Sequence, residues 1–238
     1  MIIPALLLGG AKPIHIPTPP PATRGVTIVN RVPGFKQKLV ALTFDDGPSP
    51  NITPQILKTL KKYDAKATFF VCGMMVKAYP GMLRRVAAAG HAIGNHTWTH
   101  KAGVKGKRAY WEVDETQKII KKVLGVGTQL FRPHYGQKKS TYKVALDRNY
   151  AVILWSASSG DTATKSSEAV YKNVKSCNPG DIVLFHDLGT KQHTANALPR
   201  IMASLSKKGY KFVTVPELLE AQQEFKASLK QGKTKPKA

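Results

Sequence analysis

The chain has 238 residues, and its 37 Lys and Arg against 14 Asp and Glu leave a formal net charge of +23. Its apolar content is sufficient for the core of one large α/β domain, and no run of about 18 apolar residues predicts a membrane span. The charge favours association with an anionic polymer, such as an acidic wall glycan, or with an anionic surface. No signature of a common nucleic-acid-binding module is present, so no specific nucleic-acid partner is predicted.

The two ends of the chain differ in composition from its centre. The first ten residues are apolar and end in small residues but lack a basic start, so an unusual export signal and a loose apolar tail both fit them. Residues 11–24 contain five prolines, which predicts a stiff extended linker. Residues 226–238 contain five lysines and no acid, which predicts a solvated basic tail. We therefore expect one domain over residues 25–225.

Short apolar runs alternate with amphipathic stretches throughout this central region. The predicted strands cover residues 39–44, 67–71, 91–95, 129–131, 151–155, 181–185 and 211–215. The predicted helices cover residues 53–63, 82–89, 110–124, 166–174 and 198–208, with a last one from Pro216 to about Phe225. This alternation predicts parallel strands joined by crossover helices. An incomplete or distorted (β/α)7-8 barrel fits best, with a doubly wound sheet as the alternative.

Polar side chains follow the first and third predicted strands, at the strand ends where barrel active sites are built. Asp45 and Asp46 come directly after a buried strand, where two carboxylates are costly unless a cation offsets them. An acidic pair before a helix is the structural alternative. His96 and His100 follow the third strand and face one metal if the turn between them is helical. A histidine pair at this spacing is a weak signal by itself.

The later strands end in the same way. The fourth leads into Phe131-Arg132-Pro133-His134-Tyr135-Gly136, the fifth is followed by Asp161, and the sixth ends in Leu184-Phe185-His186. Each of these residues has a structural explanation when taken singly. Together they supply metal ligands, a further carboxylate, an arginine and a His–Asp couple at successive strand ends. The combination predicts a single catalytic site.

In this order, the segments resemble the five motifs of the polysaccharide deacetylases, carbohydrate esterase family 4, over about residues 36–220. The resemblance implies that Asp46, His96 and His100 bind one metal and leave positions open for water and substrate. Zinc is the ion best suited to such a mixed nitrogen and oxygen ligand set, although cobalt or another divalent ion also fits.

The resemblance also implies the roles around the reacting bond. Asp45 is the expected general base, held ionised by Arg132. The backbone N–H of Tyr135 is expected to stabilise the tetrahedral oxyanion.

On the leaving-group side, the resemblance implies that His186, oriented and kept protonated by Asp161, protonates the amine. Leu184 and Trp155 are the expected apolar wall for the acetyl methyl group.

Three positions depart from the family pattern. His134 stands where a second proline is usual, and it is expected to be either a substrate contact or an exposed side chain. Thr162 replaces the usual tryptophan, and Ser158 stands at an earlier position that is usually acidic. These departures concern the floor of the acetyl pocket, and we therefore expect an active enzyme with an altered substrate preference.

The resemblance implies a metal-dependent polysaccharide N-deacetylase that acts on N-acetylglucosamine-type residues of peptidoglycan or chitin-like glycans. An O-acetyl xylan esterase using the same site and a non-catalytic glycan-binding module are the alternatives. The expected location is extracellular, in the cell wall or the periplasm. The basic surface and the tail are expected to bind anionic wall polymers.

Overall fold

Parallel strands form the centre of the molecule in the computed structural model, which describes residues 14–25, 28–29, 31–32 and 37–233. The strands are β1 (Ile28–Val29), β2 (Leu39–Asp45), β3 (Thr68–Val71), β4 (Ala92–Asn95), β5 (Leu130–Phe131), β6 (Ala151–Ile153), β7 (Ala157–Ser158), β8 (Ile182–His186) and β9 (Lys211–Phe212). Their order is β1-β6-β5-β4-β3-β2-β8-β7, with β9 beside β2. The end strands β1 and β7 do not pair with each other in the described residues, which confirms the predicted incomplete barrel.

Eight α-helices surround the sheet in the described part of the chain. They are α1 (Thr53–Lys62), α2 (Gly73–Ala78), α3 (Pro80–Ala88), α4 (Gly106–Leu124), α5 (Ser140–Asp147), α6 (Ser167–Val174), α7 (Gln192–Lys207) and α8 (Val215–Lys233). Helices α2 and α5 were not predicted from the sequence, because a helix of one or two turns carries little periodic signal. In the described residues, no helix combines the length and apolar composition that crossing a membrane requires.

The end of α8 corrects one prediction. The helix was expected to stop near Phe225 but continues to Lys233, so the first part of the predicted tail is helical. Residues 226–231 contain neither glycine nor proline, and nothing in their sequence ends the helix. Residues 226–229 are exposed, whereas Leu218 and Leu219 near the start of α8 pack against the barrel interior.

Strand β2 is buried at all seven positions, because both faces of the sheet are covered. Leu42 and Phe44 lie in the cluster between the sheet and the helices, whereas Ala41 lies in the cluster inside the barrel. Since side chains alternate along a strand, Asp45 shares the interior face with Ala41. The alternation therefore places a carboxylate at the carboxyl end of the barrel interior.

Candidate active site

A cavity of about 550 Å³ opens at the carboxyl ends of the strands. It is lined by Asp45, Asp46, His96, His100, Tyr135, Trp155, Ser158, Thr162, Leu184, His186, Leu188, Thr190 and Lys191. Strand register brings His186 opposite Asp45, because β8 and β2 are neighbours. Arg132 and Asp161 lie behind this lining, each hydrogen-bonded to one of its members. All ten side chains predicted to form the site thus belong to this cavity or to the layer behind it.

Asp46, His96 and His100 form a compact set of potential metal ligands. Oδ1 of Asp46 lies 3.5 Å from Nε2 of His96 and 3.4 Å from Nε2 of His100. This oxygen is buried and accepts no hydrogen bond from the described residues. A buried carboxylate oxygen without a partner is unfavourable, and a cation between it and two imidazole nitrogens offsets that cost. The residues present therefore fit a divalent metal, of the kind bound by one carboxylate and two histidines.

The hydrogen bond at the far side of the His96 ring assigns its tautomer. Nδ1 lies 2.7 Å from the carbonyl oxygen of Arg132, so Nδ1 carries the hydrogen and donates it. The lone pair is then on Nε2, which faces Asp46. Burial lowers the pKa of His96 to about 3, so the ring is neutral, as a metal ligand must be.

His96 and His100 face the same point although the turn that joins them is not helical, which was the condition set for this arrangement from the sequence. Thr97 and His100 adopt left-handed backbone angles, with φ of 69° and 56°. The fully buried Glu112 of α4 holds the turn, because its Oε2 accepts hydrogen bonds from the N–H groups of Trp98 at 2.9 Å and Thr99 at 2.7 Å. Glu112 was not among the predicted site residues, although an acid on the apolar face of a helix was a usable signal.

We expect Glu112→Gln to weaken metal binding by about tenfold or more, which is the usual cost of losing a group that orients a ligand. The amide replaces one acceptor oxygen with a donor that opposes the N–H groups of the turn. Competition with a chelator measures the affinity, and thermal unfolding checks the fold. Glu115→Gln, on the same helix with its carboxylate on Lys118, is the control. Equal metal affinity of the two variants would contradict the positioning role.

Asp45 is bonded to a buried arginine. Nη1 of Arg132 donates to Oδ1 of Asp45 at 2.7 Å and to Oγ1 of Thr43 at 2.8 Å. The remaining guanidinium donors reach the carbonyl groups of Ile153 and Leu154. Burial raises the pKa of Asp45 above its ordinary value, and the charge of Arg132 opposes this rise. The result is a fixed carboxylate that is more basic than an exposed one.

His186 and Asp161 form the second coupled pair. Oδ1 of Asp161 lies 2.7 Å from Nδ1 of His186, and Oδ2 accepts hydrogen bonds from the His186 backbone N–H and the Thr194 hydroxyl, both at 2.8 Å. Burial by itself favours neutral imidazole, but the hydrogen bond to Asp161 and the charge of Asp45 outweigh it and raise the pKa of His186. Burial likewise opposes the ionised form of Asp161, yet the bond to His186 lowers the pKa of Asp161 overall. The pair therefore favours an imidazolium beside a carboxylate.

A further carboxylate, Asp187, lies beneath the loop that carries Asp46. It is fully buried, and its Oδ2 accepts a hydrogen bond of 2.5 Å from the Thr53 hydroxyl. Burial raises the pKa of Asp187 to about 7. A Cβ at Gly47 would lie 2.2 Å from Oδ1 of Asp187, so only glycine leaves room for this carboxylate. No role was predicted for Asp187 from the sequence.

The three departures from the family pattern lie in different surroundings. Ser158 and Thr162 line the cavity together with Leu184 and Trp155, so this part of the cavity has a partly polar wall. His134 is only 3% exposed, which rules out the exposed side chain that was one of the two expectations. It is buried because the turn of residues 134–136 packs its ring against that of His100, with ring centres 5.8 Å apart.

Known proteins resemble this chain in sequence and in fold. A family model described as polysaccharide deacetylase matches residues 33–153. A peptidoglycan-N-acetylglucosamine deacetylase of Bacillus cereus is 40% identical over 190 residues, which cover 77% of this chain and 89% of that protein. The peptidoglycan-N-acetylmuramic acid deacetylase PdaC of Bacillus subtilis is 36% identical over 194 residues, which cover 80% of this chain but 41% of that longer protein. The solved structure of PdaC superposes with a TM-score of 0.78 at 34% identity, over 84% of this chain and 98% of that structure.

Proposed function

This chain belongs to the polysaccharide deacetylase family, and on that basis we propose that it removes N-acetyl groups from the glycan strands of peptidoglycan. It is a hydrolase that acts on the carbon–nitrogen bond of a linear amide, and its products are acetate and a free amine. The observation that carries the proposal is the unpartnered Oδ1 of Asp46 between two histidine Nε2 atoms. The Asp45–Arg132 pair and the His186–Asp161 pair open on the same cavity.

Asp46, His96 and His100 are the proposed ligands of one divalent metal, with zinc favoured by the ligand set. When bound, such a metal acts as a Lewis acid on a carbonyl oxygen and lowers the pKa of water to about 7. The His96 tautomer and the unpartnered Asp46 oxygen prepare this site before the ion arrives.

Asp45 accepts the proton of the attacking water, and Arg132 keeps the carboxylate oriented for that transfer. The backbone N–H of Tyr135, on the turn beside the cavity, donates to the oxyanion that forms from the acetamide carbonyl. Leu184 and Trp155 contact the acetyl methyl group and exclude water from it.

The amine leaves with a proton from His186. The raised pKa of His186 favours the protonated ring, and Asp161 holds the opposite nitrogen, so Nε2 carries the transferred proton. Asp45 and His186 thus act as base and acid on the two sides of one bond.

Asp161→Asn is expected to move the alkaline limb of the pH profile to lower pH. Activity requires protonated His186 and falls as the pH rises through the pKa of His186, which Asp161 raises above 6.5. The asparagine side chain carries no negative charge, so the pKa of His186 is lower in the variant and activity begins to fall at a lower pH. The acid limb follows Asp45, whose pKa is raised by burial, and it should not move. Profiles of kcat/KM against pH on a soluble N-acetylated oligosaccharide provide the measurement, with Asp114→Asn on the surface as control. If the alkaline limb is unchanged in Asp161→Asn, a group other than His186 is the general acid.

Acetate release from three substrates tests the overall proposal. Peptidoglycan fragments and chitooligosaccharides offer an N-acetyl group, whereas acetylated xylan offers only O-acetyl esters. We expect release from the first two and little from xylan. Preferential release from xylan would favour the O-acetyl esterase, and glycan binding without any acetate release would favour a non-catalytic module.

The proposed substrate, peptidoglycan, is a polymer of the cell wall. We further propose that the protein acts outside the cytoplasm and that its net charge of +23 holds it on anionic wall polymers. Residues 226–229 of α8 are exposed and include Lys226, which contributes to this basic surface.

A further inference from the structure

A second cavity, the His134 cavity, has a volume of about 390 Å³ and lies behind the turn of residues 134–136. It is lined by Gly103, Val104, Lys105, His134, Gln137, Lys139, Ser140 and Thr141, and none of these residues is acidic. The ring of His134 lies 5.8 Å from that of His100 and 5.6 Å from that of Tyr135, measured between centroids. The His134 cavity therefore adjoins the proposed metal site through a single layer of rings.

Two of its buried side chains have polar atoms without a partner. His134 is 3% exposed and Thr141 is 1% exposed. Both ring nitrogens of His134 and the hydroxyl oxygen of Thr141 are buried and make no hydrogen bond with the described residues. Buried polar groups in native proteins are almost always paired, so unpaired ones clustered at a cavity indicate a ligand that pairs with them.

Two helices also begin at this cavity. Lys105 precedes α4 and Lys139 precedes α5, and neither helix has a side-chain hydrogen bond that caps its first turn. The first N–H groups of a helix have no partner within the helix, and the helix dipole gives that end a partial positive charge. Two such ends at one cavity favour an anionic ligand.

The charges at the mouth of the cavity have the same sign. Lys105 and Lys139 are exposed, and no carboxylate lines the cavity beside them. Glu112, which lies on the neighbouring part of α4, is engaged by Arg108 and by the turn of residues 97–100. Lysine ammonium groups, helix N–H groups, the Thr141 hydroxyl and an N–H of the His134 ring can all donate, so together they favour a ligand rich in acceptor oxygens.

We propose that the His134 cavity binds an oxyanion, and that its position beside His100 makes the carboxylate of an acidic sugar in the substrate glycan the expected source. This inference rests on the proposed function, since it extends the same site to the sugar next to the one that is deacetylated. A free phosphate has the same acceptor chemistry, and the experiment separates the two sources.

Two variants remove donors from the cavity with little effect on the fold. Lys105→Gln/Lys139→Gln removes both surface charges, and Thr141→Val replaces the buried hydroxyl by a methyl group of similar size. Lys121→Gln/Lys122→Gln, at the other end of α4, removes the same charge and is the control. The substrates are a soluble peptidoglycan-type oligosaccharide that carries carboxylates and the same oligosaccharide with each carboxylate converted to an amide. Calorimetric titration with inorganic phosphate is the third arm.

If the glycan is the source, the wild type should have a kcat/KM for the carboxylate substrate about fivefold above that for the amide, the gain expected of an exposed charge pair. This ratio should fall to about one in Lys105→Gln/Lys139→Gln and should fall part of the way in Thr141→Val, which keeps both charges. Turnover of the amide substrate should stay unchanged in both variants, and the control variant should keep the wild-type ratio. Thr141→Val should also keep or raise the melting temperature, since it removes an unpaired buried hydroxyl. A merely structural threonine would instead lose stability.

A ratio of one in the wild type, together with phosphate binding that only the cavity variants lose, would support the oxyanion site and assign it to a free anion. A ratio that is the same in the cavity variants and the control, with equal phosphate binding, overturns the proposal. If no glycan is turned over at all, the proposed deacetylase function is wrong, but this result does not decide whether the His134 cavity binds an oxyanion. Calorimetry with phosphate and with the two oligosaccharides then still tests the cavity.

Discussion

Replacing His96 by alanine is expected to abolish metal binding and, with it, acetate release. Nε2 of His96 faces Oδ1 of Asp46 at 3.5 Å, and the bond from Nδ1 to the Arg132 carbonyl holds the ring there. Loss of an outer partner of a metal ligand costs roughly 10–100-fold in affinity or activity, so loss of the ligand itself should exceed about a hundredfold. Metal content by mass spectrometry, after removal of free ions, should be near stoichiometric in the wild type and close to zero in the variant.

A second buried histidine on the same chain segment offers a matched control. His91 immediately precedes β4 at its opposite end, where Nδ1 accepts a hydrogen bond from the N–H of Ala67. His91→Ala also removes a buried imidazole but should retain the metal, because it lies far from the cavity lining. Equal metal content in His96→Ala and His91→Ala would show that the ligand assignment is wrong. Refilling the metal-free wild type with zinc or cobalt and comparing turnover then tests the choice of ion.

Replacing Asp45 by asparagine is expected to preserve metal binding and to lower turnover by about 10²- to 10⁴-fold, the usual contribution of a positioned base. The amide cannot accept the proton of the attacking water. Asp46→Asn is the matched comparison at the adjacent position, and it should lose the metal as well as the activity. Near wild-type turnover of Asp45→Asn would refute its role as the base.

The fold of Asp45→Asn has to be verified, because the substitution leaves Arg132 buried without its charged partner. Breaking a buried ion pair on one side costs about 3–5 kcal/mol, against a total stability of about 5–15 kcal/mol for a typical domain. Thermal unfolding and metal content, measured on the same sample as turnover, separate a misfolded variant from one that lacks only its base. A folded, metal-loaded and inactive protein is the expected result.

Local patterns in the sequence predicted the alternating strands and most of the helices, and they marked residues that the structure brings together in the candidate site. The buried run of β2 and the alternation of apolar strands with amphipathic helices reflect which side of each element faces the core. The face of a strand or helix that points to the core can be inferred from its own sequence, without knowing which elements are its neighbours. Polar residues interrupt the pattern at the strand ends, and for this reason Asp45, Asp46, His96 and His186 stood out before the fold was known.

The tertiary structure decided how those residues are held, because hydrogen-bond partners come from elements that are distant in sequence. Glu112 reaches the turn of residues 97–100 from α4, and the Arg132 carbonyl reaches His96 from the end of β5, 36 positions away. His134 is buried rather than exposed because its surroundings are formed by other segments of the chain. Periodicity reports the burial of a residue along its own element, whereas its partner depends on which elements the topology places side by side.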